Sequence, residues 1–293
     1  MRASTFLRPG SLEGVFEAMA GGALVMAGGT DVYPTVVGRD VPADVVDITG
    51  VAELAGLGQV DEGGRRWWRI GATATWAEVA RATMGPGYRA LQEAARQVGA
   101  VQVQQVATVA GNLCTASPAG DGIPVLMALD GEVELRSAQA SRRRPVAQFV
   151  TGYRATALAP GELVTAVWLP EPDGDRRSAF VKFATRSSLV ISLAMVAAAV
   201  VRDPAGAVTS VSVAVGACSP VAVRLNALER DVVAGWDGRV TAVHLGGLSP
   251  IDDIRCSAAY RMRVLPELIR RALHGCGVAP EVAPGVETGW APG

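Results

Sequence analysis

The sequence predicts an α+β protein in which an N-terminal region of interleaved strands and helices precedes a C-terminal domain with a small antiparallel sheet and helices. Three observations predict it. Short apolar runs that read as buried strands are interleaved with segments of helical periodicity before residue 170. Pro170-Glu171-Pro172-Asp173-Gly174-Asp175 is polar and turn-rich, and reads as a linker. Beyond it three apolar runs follow one another with turn signals between them. At 293 residues, 49% of them apolar, the chain is long enough for two domains with a substantial core.

The elements follow in order. Ser11 is placed to N-cap a helix from Leu12 to Met19 that Gly21-Gly22 ends. Ala23 to Ala27 reads as a buried strand running into Gly28-Gly29-Thr30-Asp31, and Asp44 to Ile48 as a second, giving a small βαβ-like unit. Arg66 to Ala72 is a strand. Thr75-Trp76-Ala77-Glu78 is a capping-box pattern opening a helix through Ala82. Tyr88 to Val98 has Leu91, Ala94, Ala95 and Val98 at helical spacing. Val106 to Ala110 leads into a Gly-Asn turn, and Ile123 to Leu129 is apolar throughout. Gly131 to Leu135 and Val164 to Leu169 read as strands. Past the linker lie Ala179 to Phe183, Ser192 to Val201 and Val208 to Val215, with Asp203-Pro204-Ala205-Gly206 as a hairpin turn. Ser257 to Leu273 is a helix with an Arg-rich exposed face, and the Pro- and Gly-rich tail beyond Gly275 reads as flexible.

Composition excludes several classes. The 27 basic residues balance 28 acidic ones, so nothing pulls the chain toward nucleic acid or an anionic membrane. Arg65-Arg66 and Arg142-Arg143-Arg144 read as solvated loop or strand-edge charge. Cys114, Cys218, Cys256 and Cys276 form no C-x-x-C pair, and His244 and His274 stand alone in surface or capping roles. The reading is therefore no metal site, no hydrolase triad and no catalytic acid or base in this chain. The most apolar window, Ile191 to Val201, is too short to span a bilayer, and Met1 to Arg8 does not read as a signal peptide. A reduced, cytoplasmic protein is the expectation.

Two glycine turns are the candidates for chemistry, and an ordinary tight turn is the alternative for each taken alone. Ala27-Gly28-Gly29-Thr30-Asp31 and Thr108-Val109-Ala110-Gly111-Asn112 each follow an apolar segment and end in hydroxyl, carboxylate or amide side chains. Glycine lets backbone approach a ligand, and successive N–H groups form an anion-binding concavity. Two such turns suit the two phosphates of a dinucleotide, although neither is a G-x-G-x-x-G or Walker sequence. The second continues through Leu-Cys-Thr-Ala-Ser117-Pro118-Ala-Gly-Asp121 into Gly-Ile-Pro-Val-Leu-Met-Ala-Leu-Asp130. With the first turn, Ile70-Gly-Ala-Thr-Ala-Thr75 and Cys256-Ser-Ala-Ala-Tyr260-Arg, this run resembles the FAD-binding subunits of molybdenum hydroxylases, the family of xanthine, aldehyde and carbon monoxide dehydrogenases. The resemblance covers residues 1–275 in order.

It implies a two-part FAD-binding region of the vanillyl-alcohol-oxidase-like type, residues 1–56 and 57–172. A C-terminal domain of the carbon monoxide dehydrogenase flavoprotein type follows at 176–275, and a flexible tail at 276–293. Carried over by position, Ala27, Gly28, Gly29, Thr30 and Asp31 bind one part of the pyrophosphate. Thr108, Ala110, Gly111 and Asn112 bind the other part and reach toward the ribityl chain. Asp121 contacts the cofactor, Val164 packs near the adenine or the flavin ring, and Lys182 lies near the flavin. Other readings stand beside these: Asp121 as the cap of a helix near Ile123, Asn112 as a left-handed turn residue, Lys182 as surface charge, and Trp67-Trp68 as core plus subunit contact. Ala110 replaces a family glycine and fits if its φ is negative. Arg186 to Ser192 lacks the family's Asp-Ile-Ala.

The resemblance further implies that FAD here takes electrons from 2Fe-2S clusters on a small partner subunit and passes them to NAD or oxygen. Hydroxylation itself falls to a molybdopterin-binding large subunit of a heterotrimer. Gly216-Ala-Cys-Ser-Pro220 looks most like xanthine dehydrogenase flavin subunits. The alternatives are an aldehyde or carbon monoxide dehydrogenase flavin subunit, an autonomous FAD-dependent oxidoreductase, and a scaffold that has lost its cofactor.

Overall fold

The computed structural model describes residues 5–38, 44–186 and 189–278. The expectation for the tail beyond Val278, and Ser187 and Ser188 of the Arg186 to Ser192 stretch, fall outside the described residues.

The first unit is a three-stranded parallel sheet. β1 (Phe6–Leu7), helix α1 (Leu12–Ala20), β2 (Leu24–Met26), α2 (Val32–Thr35) and β3 (Val45–Asp47) run in sequence, with β3 in the middle of the sheet. Ser11 caps α1 by accepting the Gly14 N–H, and Gly22 ends it with φ of 85°. β3 is the buried strand, while β1 is two exposed residues without alternation, and so left no signal in the sequence.

The second unit is a five-stranded antiparallel sheet. β4 (Leu57–Glu62) and β5 (Arg65–Gly71) form a hairpin, and helices α3 (Trp76–Arg81), α4 (Arg89–Ala95), α5 (Val101–Gln104), α6 (Val109–Thr115) and α7 (Gly122–Ala128) follow. β6 (Glu132–Arg136), β7 (Ser141–Pro145), α8 (Val146–Phe149), the small hairpin β8 (Val150–Gly152) and β9 (Ala155–Thr156), and then β10 (Leu163–Pro170) complete it, in the order β4-β5-β10-β6-β7. Every residue of the central strand β10 is buried, hence its apolar run, broken only by Thr165, whose hydroxyl donates to the Glu134 carboxylate. Arg142 to Arg144 form the edge strand β7, as strand-edge charge. Trp67 and Trp68 face opposite sides of β5: Trp67 meets Trp168 edge-on, and Trp68 meets Tyr88. The Thr75 capping box has both its hydrogen bonds, Glu78 N–H to Thr75 Oγ1 at 3.2 Å and Thr75 N–H to the Glu78 carboxylate at 2.6 Å.

The third sheet is antiparallel: β11 (Asp175–Phe183), β12 (Ala194–Arg202), β13 (Val208–Gly216) and β14 (Val223–Arg224), followed by α9 (Asn226–Gly235), α10 (Ala242–Leu245) and α11 (Ala258–Gly275). β12 explains the most apolar window of the sequence. Ala194, Val196, Ala198 and Val200 face one core with α11, and Met195, Ala197 and Ala199 face the other. A strand covered on both faces needs no polar alternation. No helix among the described residues is long and apolar enough to cross a membrane. Asp203 closes the β12–β13 turn by taking the Ala207 and Gly206 N–H groups. The face of α11 is not uniformly exposed as expected: Arg261 is buried, donating to the backbone oxygens of Leu193 and Ala217 and pairing with Asp253 at 2.9 Å. His244 fills the capping role expected of it, its Nδ1 accepting the Thr241 N–H that opens α10.

Candidate functional site

The first glycine turn is shaped by contact with the second. A Cβ on Gly28 would stand 1.8 Å from the Val106 carbonyl oxygen, so only glycine allows the turn to stack on the backbone entering Thr108. Gly29 has φ of 69° and lies against the Tyr33 ring, where a Cβ would come within 2.4 Å. Thr30 and Asp31 are exposed beside it.

The second turn is not a loop. Thr108 is the N-cap of α6, and its Oγ1 accepts the Gly111 N–H at 2.9 Å. Gly111 is small for this reason, since a Cβ there would meet that same hydroxyl. Ala110 is helical and buried, so alanine fits where the family has glycine. Trp76 donates to the Ala107 carbonyl and Val109 to that of Ala74, which ties the start of α6 to that of α3. Asp31 ties the first turn to the end of α6 and to the β8–β9 hairpin: it accepts the Thr115 hydroxyl at 3.4 Å and pairs with Arg154 at 2.7 Å. The sequence reading missed Arg154. It lies 123 positions from its partner on a hairpin too short to show a strand pattern.

Beyond α6 lies a cleft of about 300 Å³ into which Asn112, Gly120, Asp121 and Lys182 converge. The Asn112 Oδ1 is buried without a hydrogen-bond donor. The backbone crosses close to it at Gly120 and Gly122, where Cβ atoms would stand 3.3 and 3.0 Å from that oxygen. Asp121 precedes α7 but its side chain does not cap the helix, which removes the capping alternative. It pairs instead with Lys182 of β11 at 2.6 Å, the two side chains only 7% and 8% exposed, so surface charge is excluded for Lys182. Lys182 also donates to the Gln97 carbonyl at 3.3 Å, and the Ser192 hydroxyl lies 2.6 Å from the other Asp121 oxygen. Burial pushes the Asp121 carboxyl upward; the Lys182 charge and hydrogen bonds from Lys182 and Ser192 oppose it.

The twelve sequence-predicted positions thus divide. Ala27 to Asp31 and Thr108 to Gly111 meet at the paired turns, and Asn112, Asp121 and Lys182 meet in the cleft, with α6 linking the two groups. Val164 is buried on β10 opposite Leu135 and does not line the cleft. A larger cleft of about 470 Å³, between β5, the end of α7 and β13, holds none of them. Among the described residues no group of His, Cys, Asp and Glu is arranged to hold a metal ion.

Residues 2–172 match the family described as the FAD binding domain in molybdopterin dehydrogenase. The nicotinate dehydrogenase FAD-subunit of Eubacterium barkeri is 36% identical over 190 residues, 63% of each chain, so the match spans under two thirds of that relative. The nicotine 6-hydroxylase medium subunit of Paenarthrobacter nicotinovorans is 30% identical over 263 residues, 86% of this chain and 89% of that one. In fold, the chain resembles a solved chain of carbon monoxide dehydrogenase from Oligotropha carboxidovorans. The TM-score is 0.83 at 21% identity, over 94% of this chain and 98% of that one. A chain of quinoline 2-oxidoreductase from Pseudomonas putida 86 gives 0.80 at 22% identity, over 94% and 97%.

Proposed function

The chain belongs to the family of FAD-binding domains of molybdopterin dehydrogenases, and on that premise we propose that it is the electron-transferring flavin subunit of a multi-subunit, xanthine dehydrogenase-type molybdenum hydroxylase. The observation that carries the reading is the close approach of Gly28 to the Val106–Ala107 backbone that leads into the Thr108-capped helix α6, which opens onto a cleft with an unpaired Asn112 acceptor. The residues fit FAD on three counts. The Gly28-Gly29 turn offers N–H groups to phosphates, while the Thr108 cap holds the start of α6 against it. Asn112 lacks the donor that a ribityl hydroxyl would supply. Asp121 and Lys182 line the same cleft with a held charge pair.

FAD supplies the exchange between single electrons and hydride equivalents. The residues of this chain bind it, orient it and keep water from the Asp121–Lys182 pair. The proposed electron source is a 2Fe-2S partner subunit, the acceptor NAD or oxygen, and the hydroxylating centre a molybdopterin-binding large subunit, all in the cytoplasm. The division into FAD-binding parts 1–56 and 57–172, of the vanillyl-alcohol-oxidase-like type, and a C-terminal domain 176–275 belongs to the same proposal. Relatives named for nicotinate and nicotine support an N-heterocycle as the compound hydroxylated by the assembly.

The test is to purify the chain, denature it, and measure the absorption and mass of the released chromophore. Near-equimolar FAD is the expected result. A colourless chain that also fails to bind added FAD refutes the proposal.

A further inference from the structure

We propose that Ser192 is a positioning residue for the flavin cleft: its hydroxyl fixes the Asp121 carboxylate, and through it the Lys182 ammonium, in one orientation toward the bound cofactor. The inference rests on the FAD reading above and names a residue that reading does not assign.

The geometry starts behind Ser192. Leu193, its neighbour, donates its N–H to the Phe183 carbonyl at 2.8 Å, and its own carbonyl accepts the buried Arg261 guanidinium. The backbone of residue 193 is therefore clamped between β11 and α11, and Ser192 is buried at a fixed point. From there Oγ reaches Asp121 Oδ1 at 2.6 Å while Lys182 takes Oδ2 at 2.6 Å. Both carboxylate oxygens are held, each by a different segment of the chain, and rotation of the carboxylate would break both bonds. Lys182 spends one N–H on Asp121 and one on the Gln97 carbonyl, and its third has no partner among the described residues. Lys182 lines the cleft, so that N–H is available to a ligand there.

A charge pair this deeply buried persists only when its remaining lone pairs and protons are satisfied. Without Ser192, Oδ1 would be a buried acceptor with no donor, and protonation of Asp121 would become easier than in the wild type. The Lys182 ammonium would then lose its anchor. The charged group in contact with Asp121 is Lys182. Asn112 on α6 is neutral, and Glu93, the acid α4 sets against β11, is taken up by the Phe180 N–H at 2.8 Å and by Arg89 at 2.7 Å.

The test uses the full chain as wild type, Ser192→Ala and Ser192→Thr, each loaded with FAD. Bound-flavin absorption and FAD affinity are followed on acidification. Ser192→Ala is expected to bind FAD near neutral pH, with its acid transition moved to higher pH by about one unit, a tenfold change in proton affinity. Ser192→Thr is expected to return the transition to the wild-type position. A residue that merely packs would move stability but not this profile. A Ser192→Ala profile that superimposes on the wild type overturns the proposal. If Ser192→Ala does not fold, Ser192→Cys, close in volume and a weak donor, takes its place with the same two outcomes. Failure of the FAD reading itself looks different, because the wild type then holds no flavin at any pH, and the positioning role falls with it.

Discussion

Gly28→Ala is the sharpest test of the paired-turn site. The added Cβ would lie 1.8 Å from the Val106 oxygen and 2.5 Å from its carbon, both backbone atoms that cannot swing aside. The first turn must back away from the start of α6 by more than an ångström. Overpacking of this kind costs about 1–3 kcal/mol, and the lost glycine freedom of the unfolded chain returns about 0.4–1 kcal/mol. A net loss of about 1–2 kcal/mol weakens FAD about 5–30-fold if it falls on the bound geometry. If it falls on folding, it lowers Tm by roughly 2–8 °C. The assay is a titration of the flavin-free chain with FAD, read by fluorescence quenching, beside a melt of the same sample. Gly58→Ala on β4 is the control, since a Cβ there meets nothing within 4 Å. Gly28→Ala with unchanged FAD affinity and unchanged Tm would refute the contact between the turns as the basis of the site.

Two further outcomes follow from charge. Lys182→Met leaves Asp121 buried without its counter-charge, so urea denaturation should show a loss of about 3–5 kcal/mol near neutral pH. Burial then raises the carboxyl unopposed by lysine. The native state binds that proton more tightly than the unfolded chain does, so part of the loss should return as pH falls toward the ordinary carboxylate range. A loss independent of pH would count against it. Asp253 is the opposite case. Burial would raise it, but hydrogen bonds from the Arg255 and Cys256 N–H groups and the Arg255 side chain, with the Arg261 charge, hold it down to about 2. Its contribution is present above the ordinary value of 3.8 and lost as pH falls through about 2. Asp253→Asn should flatten the acid limb of stability in that window by at most about 2 kcal/mol, and an unchanged limb would remove Asp253 from the account.

Local rules were legible in the sequence wherever one segment decides its own structure. Ser11, the Thr75–Glu78 box and the Asp203 turn each act over a few residues, and each is present as read. The doubly covered strand β12 was legible because its composition has no polar alternation to hide. The start of α6 reads as a turn in the sequence because Gly111 and Asn112 are weak helix formers in a helix of only 7 residues. Tertiary contact with Ala74 and the Thr108 cap override that propensity. The cleft partners were least legible. Asp121 meets Ser192 across 71 positions and Lys182 across 61, and no periodicity records such a meeting. Resemblance alone points to Asp121 and Lys182, and nothing in the sequence points to Ser192.

The family match ends at residue 172, yet the cleft does not. Helix α7 explains why. At its start Asp121 is held by Lys182 of β11 and by Ser192 ahead of β12. At its end Asp130 pairs with Arg224 of β14 at 3.0 Å, and the Met127 carbonyl accepts the same guanidinium at 3.1 Å. The helix that carries the site's carboxylate is therefore fastened at both ends to the C-terminal sheet. Its body packs on β12 and β13 between those points. A segment cut at residue 172 would keep both glycine turns and Asn112 but lose the lysine and the serine that orient Asp121. The C-terminal sheet is thus part of the candidate cofactor site, because it supplies the charge that the N-terminal region buries but cannot neutralise alone.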